Sequence, residues 1–221
     1  MKLFSWLVLA GLAGALATGQ PTPKHVAIVI DDGPVPANAV RFLELFETEG
    51  VQVSWAYEAR DVQQFPETAQ AATAAGHEIV NHSFDHLHPR DLDDDALHHE
   101  IVDAQAVLAE FSGQTPKWYW RPFGEVDPRQ EALWEEAGIK DQDFAFVVTS
   151  NDWNSAVDAD QIYSDATSYV PDGCIILFHE WRQETVDLMP SIIAELKRQG
   201  CVFLTFSKLA HYLEHKQDIN N

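Results

Sequence analysis

Basic residues are scarce in this chain: 14 Lys and Arg stand against 35 Asp and Glu, a net charge of −21. That balance argues against nucleic acid or an anionic membrane surface as partner. It suits solubility, and it would also draw in a cationic ligand. Cysteine is equally sparse, with Cys174 and Cys201 alone, each opening an apolar run. They can form one disulfide or remain two buried thiols, and neither state makes them catalytic. Long apolar runs are missing beyond the first residues. Leu3–Ala17 is uncharged, follows Lys2 and ends in Ala15-Leu16-Ala17. This is the pattern of a secretory signal peptide over residues 1–19, cleaved after Ala17 or Gly19. It falls short of the roughly 20 apolar residues that a membrane span needs. No cysteine lies near either cleavage point, so no lipid anchor is expected. The rest of the chain is expected outside the cytoplasm, secreted or periplasmic, with no membrane insertion.

No low-complexity segment, sequence repeat or interdomain linker divides the remaining roughly 200 residues, a length that fits one domain with a full core. Short apolar runs at 25–30, 51–57, 77–81, 117–121, 143–149, 174–178 and 201–206 predict buried strands. Amphipathic stretches near 36–49, 65–76, 93–112, 128–138, 157–170 and 185–199 predict helices. Several helices run out at a glycine, as at Gly50, Gly76, Gly138 and Gly200, where a C-cap tolerates the left-handed conformation. Alternation of this kind implies an α/β domain with parallel strands, either a barrel or a doubly wound sheet. The domain is expected over 24–214, as a monomer, followed by a loose tail at 215–221.

Polar residues sit where such a fold builds its site, after the C-terminal ends of strands. Asp31-Asp32 close the first run, His82 follows the third, Arg121 the fourth, Asp152-Trp153 the fifth and His179 the sixth. His82 and His86 are four apart, which on a helical turn puts both imidazoles on one face. His88, six from His82, fits that face less well. Two imidazoles and one carboxylate hold a divalent ion facially and leave positions open for water and substrate, a hydrolase's arrangement. Adjacent aspartates on a strand point to opposite faces, so a sharp turn at Gly33 is expected to let both reach the site.

In this order the residues resemble the polysaccharide deacetylases with a NodB-homology domain, carbohydrate esterase family 4. The resemblance runs from about His25 to Tyr212 and touches all five family motifs. The first, usually Thr-Phe-Asp-Asp-Gly, appears as Val29-Ile30-Asp31-Asp32-Gly33; the second, His-Ser/Thr-x-x-His, as His82-Ser83-Phe84-Asp85-His86. The third, usually Arg-Pro-Pro-Tyr-Gly, is one residue short as Arg121-Pro122-Phe123-Gly124. Asp152-Trp153 stands for the fourth and Leu177-Phe178-His179 for the fifth. The family's fold is a distorted (β/α) barrel, here of about seven parallel strands, and its chemistry is removal of acetyl groups from N-acetylated sugars or, in some members, from O-acetylated xylan.

Carried over position by position, the resemblance implies that Asp32, His82 and His86 hold one divalent ion, zinc first with cobalt or manganese as alternatives. Asp31 is then the general base, Arg121 its ionic neighbour, His179 the general acid and Asp152 the partner of its ring. Phe123, Trp153 and Leu177 would contact substrate, the last two as a wall for the acetyl methyl, and a backbone N–H near Phe123 would serve the oxyanion. Elementary chemistry supports the set. A divalent ion polarises an amide carbonyl and acidifies water, a carboxylate then suffices as base, and a histidine paired with a carboxylate can protonate the leaving amine. Trp55, Trp118, Trp120 and Trp181 are candidates for stacking on sugar rings. The expected partner is an acetylated carbohydrate of chitin or peptidoglycan type. An O-acetyl esterase on the same site and a non-catalytic carbohydrate-binding relative are the alternatives.

Overall fold

A computed structural model describes residues 22–219, so the expected signal peptide lies outside the described residues. Eight strands form one sheet: β1 (Lys24–Gly33), β2 (Ser54–Tyr57), β3 (Glu78–Asn81), β4 (Trp118–Tyr119), β5 (Lys140–Asp141), β6 (Val147–Thr149), β7 (Cys174–His179) and β8 (Cys201–Leu204). Every pairing is parallel, and the order is β5-β4-β3-β2-β1-β7-β6, with β8 on the first half of β1. The sheet curls into a half-barrel whose two edges, β5 and β6, are neighbours in sequence but do not pair. Each of the seven expected strands overlaps an observed one, and β5 is an additional strand of two residues.

Side-chain parity along the strands sorts the apolar residues into two layers. Val26, Ile28 and Ile30 of β1 join Trp55, Ile79, Ile176 and Phe178 under the outer helices. Ala27 and Val29 join Ala56, Val80, Trp120 and Ile175 inside the curl. Both faces of β1 are therefore buried, which is why its sequence is a continuous apolar run rather than an alternating one. Each large aliphatic side chain so placed contributes on the order of 1.5–3 kcal/mol. The same parity fixes the site, because Asp31 continues the inner series of β1 and His179 the inner series of β7.

The expected helices are present, with the stretch near 93–112 formed as Asp94–His98, a π-turn at His99–Asp103 and Ala104–Ser112. Two helices were not anticipated. Ala59–Gln64 follows β2, and Phe206–Ile219 runs through the segment expected as a loose tail. Leu209 and Ala210 of that helix pack on the inner layer, and Tyr212 and Lys216 both engage Asp172, so the charged and histidine-rich end is carried by a docked helix. Among the described residues no helix is long and apolar enough to cross a membrane. Cys174 and Cys201 are buried free thiols. Burial pushes Cys174 up to about 12, which removes thiolate chemistry near neutral pH.

His77 is a pH-sensitive element of the core that lies outside the site. It is buried against the edges of Phe46 and Trp55, and its Nδ1 accepts the N–H of Val53 at 3.1 Å. Burial lowers its pKa from 6.5 to about 4. Folding therefore favours the neutral ring: this stability is complete above pH 6.5 and is lost as the pH falls towards 4, on the order of 3 kcal/mol in all. His77→Asn keeps an acceptor for Val53 and removes the titration. Urea unfolding of both proteins from pH 7.5 to 4 should show the wild type losing that much more stability than the variant. Parallel curves would remove His77 as the cause.

Candidate active site

Asp31 and His179 are register partners in the β1–β7 pairing, so two inward side chains at the carboxyl ends of adjacent strands must meet. His179 Nε2 lies 3.3 Å from Asp31 Oδ1. Each is held from behind. Trp120 Nε1 donates to Asp31 Oδ2 at 2.9 Å. Asp152, fully buried, receives His179 Nδ1–H at 2.6 Å, the His179 backbone N–H at 2.9 Å and the Thr185 hydroxyl at 2.6 Å. With Nδ1 donating, Nε2 is the nitrogen turned towards Asp31.

Parity would send Asp32 outward, and the structure corrects where the chain solves this. The left-handed residue is Asp32 itself (φ 56°), at a bulge in the β1–β2 register between Asp31 and Gly33. Gly33 is needed for space instead: a Cβ there would run into the Glu180 carboxyl and come within 2.9 Å of the Tyr57 ring. The His82–His86 segment departs from expectation in the same way. It is an irregular loop rather than a helical turn, with Ser83 (φ 69°) and His86 (φ 56°) left-handed. Asn81 Oδ1 accepts from Ser83 N, Ser83 Oγ accepts from His86 N, and the Glu100 carboxylate accepts from the N–H groups of Phe84 and Asp85. Glu100 lies in the π-turn of its helix, a distortion often found beside functional sites.

This loop sets His82 Nε2 at 3.1 Å and His86 Nε2 at 3.4 Å from Asp32 Oδ1. Donors sharing an ion at about 2.0–2.2 Å lie roughly 2.8–3.6 Å apart, so the triad has the spacing of a divalent site. Its supports fit the same purpose. His82 Nδ1 donates to the Trp120 carbonyl at 2.8 Å, which leaves the Nε2 lone pair free for a ligand bond. Trp181, half-exposed, donates its indole N–H to Asp32 Oδ2 at 2.9 Å.

The electrostatics separate the roles. Burial raises Asp31 to about 6 against the opposing pull of His179. Burial disfavours charged His179, but Asp31 and the hydrogen bond to Asp152 outweigh it and raise the ring to about 9. Burial, then His82, lowers His86 to about 4. For Asp32 the burial cost is exceeded by the His82 hydrogen bond and the surrounding imidazoles, which hold it below the usual carboxylate range.

Asp31, Asp32, His82, His86, Arg121, Phe123, Trp153, Leu177 and His179 all line one cavity of about 550 Å³. Asp152 stands behind it. Arg121 is the exception in role: its ion pairs among the described residues are with Asp141 (3.3 Å) and Asp143, and Trp120 takes the place expected for it beside Asp31. Of the four tryptophans named for stacking, Trp55, Trp118 and Trp120 are buried and Trp181 is exposed. Exposed Trp153 and Phe123 share the cavity mouth, and Phe123 stacks on His88, with centroids 3.7 Å apart. His88 itself faces Glu125 at 3.2 Å and is not in the triad. Trp181 as the anchor of Asp32 and Glu100 as a loop clamp were missed. Neither carries a sequence signal beyond its residue type.

A family model described as polysaccharide deacetylase matches residues 18–141, more than half of the chain. A peptidoglycan-N-acetylglucosamine deacetylase of Bacillus cereus is 28% identical over 86% of this chain and 89% of its own length. A bifunctional xylanase/deacetylase of Pseudobutyrivibrio xylanivorans is 26% identical over 92% of this chain and 34% of its own length. Among solved structures, a family 4 carbohydrate esterase from Streptomyces lividans in complex with acetate superposes with a TM-score of 0.74 at 26% identity, covering 81% of this chain and 91% of that one. The peptidoglycan deacetylase PdaC from Bacillus subtilis shares the fold with a TM-score of 0.80 at 24% identity, over 91% and 96%.

Two substitutions test these supports. Trp181→Phe keeps an aromatic face and removes the N–H on Asp32, so metal affinity should fall about 10–100-fold in a direct titration; unchanged affinity would remove the indole as an anchor. Gly33→Val should lose both metal and activity without touching a ligand, and full metal binding in a folded Gly33→Val protein would show that the turn tolerates the clash.

Proposed function

The chain belongs to the polysaccharide deacetylase family, hydrolases of the acetamido bond of N-acetylated sugars, and from that premise we propose that it removes acetyl groups from a chitin-type or peptidoglycan-type polymer outside the cytoplasm. The observation that carries the reading is the convergence of Asp31 and His179, 3.3 Å apart, on the wall that also bears the Asp32–His82–His86 triad. A pure binder has no need of a buried carboxylate and a buried, carboxylate-backed imidazole side by side.

Asp32, His82 and His86 would hold the ion, for which zinc suits a donor set of two nitrogens and one oxygen. When bound, a divalent ion supplies polarisation of the acetyl carbonyl and acidification of water. Asp31, with a pKa raised to about 6, takes the water proton on Oδ1 while Trp120 holds Oδ2 in place. His179, raised to about 9, enters the reaction as imidazolium and gives its Nε2 proton to the departing amine. Asp152 keeps the ring oriented and compensates its charge throughout.

The shortened third motif retains a donor for the oxyanion. Arg121 N–H is bound to Gln142, Pro122 has none, and those of Gly124 and Glu125 close turns within the loop. The N–H of Phe123, left-handed at φ 57°, is the one left for that role. Trp153 and Leu177 supply the apolar wall, and the exposed rings of Trp153 and Phe123 on the cavity, with that of Trp181 beside Asp32, suit the faces of a sugar chain.

Acetate release from N-acetylglucosamine oligomers, peptidoglycan and acetylated xylan, after chelation and again with zinc, cobalt or manganese restored, tests the reading. Metal-restored release from an amino sugar supports it. Release from xylan alone would make the chain an O-acetyl esterase, and metal uptake without turnover on any substrate would make it a binding relative. His179→Ala and Asp31→Asn should each retain metal and lose about 10²–10⁴-fold in kcat; full turnover in either would remove that residue from its role.

A further inference from the structure

The helix Phe206–Ile219 carries a second histidine pair that the deacetylase reading does not use. His211, Glu214 and His215 are spaced three and four apart, so helical geometry puts all three on one face, and all three are exposed. One donor atom from each lies within 4.8 Å of the others, and the two imidazole rings are 4.0 Å apart. His215 Nδ1 lies 2.8 Å from the His211 carbonyl oxygen. A carbonyl only accepts, so that nitrogen carries the proton and Nε2 keeps a bare lone pair. The Trp120 carbonyl prepares His82 for a ligand bond by the same device. His211 and Glu214 also border a cavity of about 350 Å³, together with Trp118 and Lys140. These residues lie where β4 and β5 begin, at the end of the barrel opposite the catalytic cavity.

The geometry points to a peripheral site for one borderline divalent cation, Zn²⁺, Cu²⁺ or Ni²⁺, held by His211, Glu214 and His215 with water in the remaining positions. Two nitrogens and a single carboxylate favour these ions over Mg²⁺ or Ca²⁺, which need mostly oxygen, and the chain's charge of −21 favours cation capture in general. The site shares no residue with the Asp32–His82–His86 triad and does not depend on its assignment. It implies that the chelated chain takes up two ions, of which one serves acetate release.

Metal analysis of the chelated full chain after exposure to Zn²⁺ and removal of excess is the test. The wild type should retain two ions per chain, His82→Ala/His86→Ala one, and His211→Ala/His215→Ala one with acetate release intact. Cu²⁺ bound to the His82→Ala/His86→Ala protein should show two nitrogen ligands by electron paramagnetic resonance. Should that variant fail to fold, the comparison of wild type with His211→Ala/His215→Ala decides alone. Equal retention in those two proteins overturns the site, as does a second ion that is lost instead on His98→Ala/His99→Ala, an adjacent half-buried pair. Failure of the catalytic reading would look different, as absent turnover with the one-ion difference preserved.

Discussion

The parallel register of β1 against β7 is the constraint on which the site rests. It makes Asp31 and His179 lateral neighbours at the ends of two buried strands, and both are inward by parity. Two ionisable groups forced together in a buried place shift each other. The carboxyl rises because it is desolvated, and the imidazole rises because carboxylates lie on both sides of it. A base able to accept a proton and an acid able to give one therefore arise from strand pairing, while Trp120, Asp152 and Thr185 select which atom of each faces the cavity. The apolar runs Val26–Ile30 and Ile175–Phe178 contribute to function by making a slip of register costly, since a shift of one residue would turn both inner series towards the helices.

The triad is built on the opposite principle. Parity could deliver only some of its donors, so the chain leaves regular structure, with left-handed backbone at Asp32, Ser83 and His86. Such conformations are unfavourable for residues with side chains and persist where the surroundings over-determine them. Here the surroundings are explicit: Asn81, Ser83 and Glu100 take up the loop's N–H groups, and Trp181 fixes the far oxygen of Asp32. The packed space around Gly33 leaves its turn little room to relax. Strand geometry positions the Asp31–His179 pair, and strained loops held by hydrogen bonds position the Asp32–His82–His86 triad.

That division explains what could be read from the sequence. Period and residue order carry strand parity, so the parallel α/β class and the rim position of the polar residues were legible, while the barrel and the residues of the cavity wall followed from the family resemblance. The conformation that joins His82 to His86 was not, because i,i+4 spacing serves a helix and a tight loop equally well. Gly33 was identified as necessary, but the reason is a buried neighbour, Glu180, that lies 147 positions away in the chain. The final helix was missed because its apolar positions, among them Leu209, Ala210 and Leu213, are interleaved with histidines and charges, and only their docking on the inner layer shows the pattern.

Arg121 shows how a motif residue can serve the site without joining its chemistry. A half-barrel has a seam, here between β5 and β6, where backbone hydrogen bonds that would close the wall are absent. The segment crossing that seam includes Gln142 and Asp143, directly after Asp141 of β5. Arg121, leaving the end of β4, reaches all three: its N–H donates to Gln142 Oε1 at 2.6 Å, and its guanidinium pairs with Asp141 and Asp143. The guanidinium is buried and fork-shaped, so it can hold two carboxylates at fixed separation. Side-chain bonds thereby do at the seam what a strand ladder does elsewhere, and Gln142, which lines the Asp31–His179 cavity with Arg121, is kept on its wall. An arginine's fork suits this place at the open edge of the sheet, where Arg121 ties Asp141, Gln142 and Asp143 to the wall of the cavity that also holds Asp31.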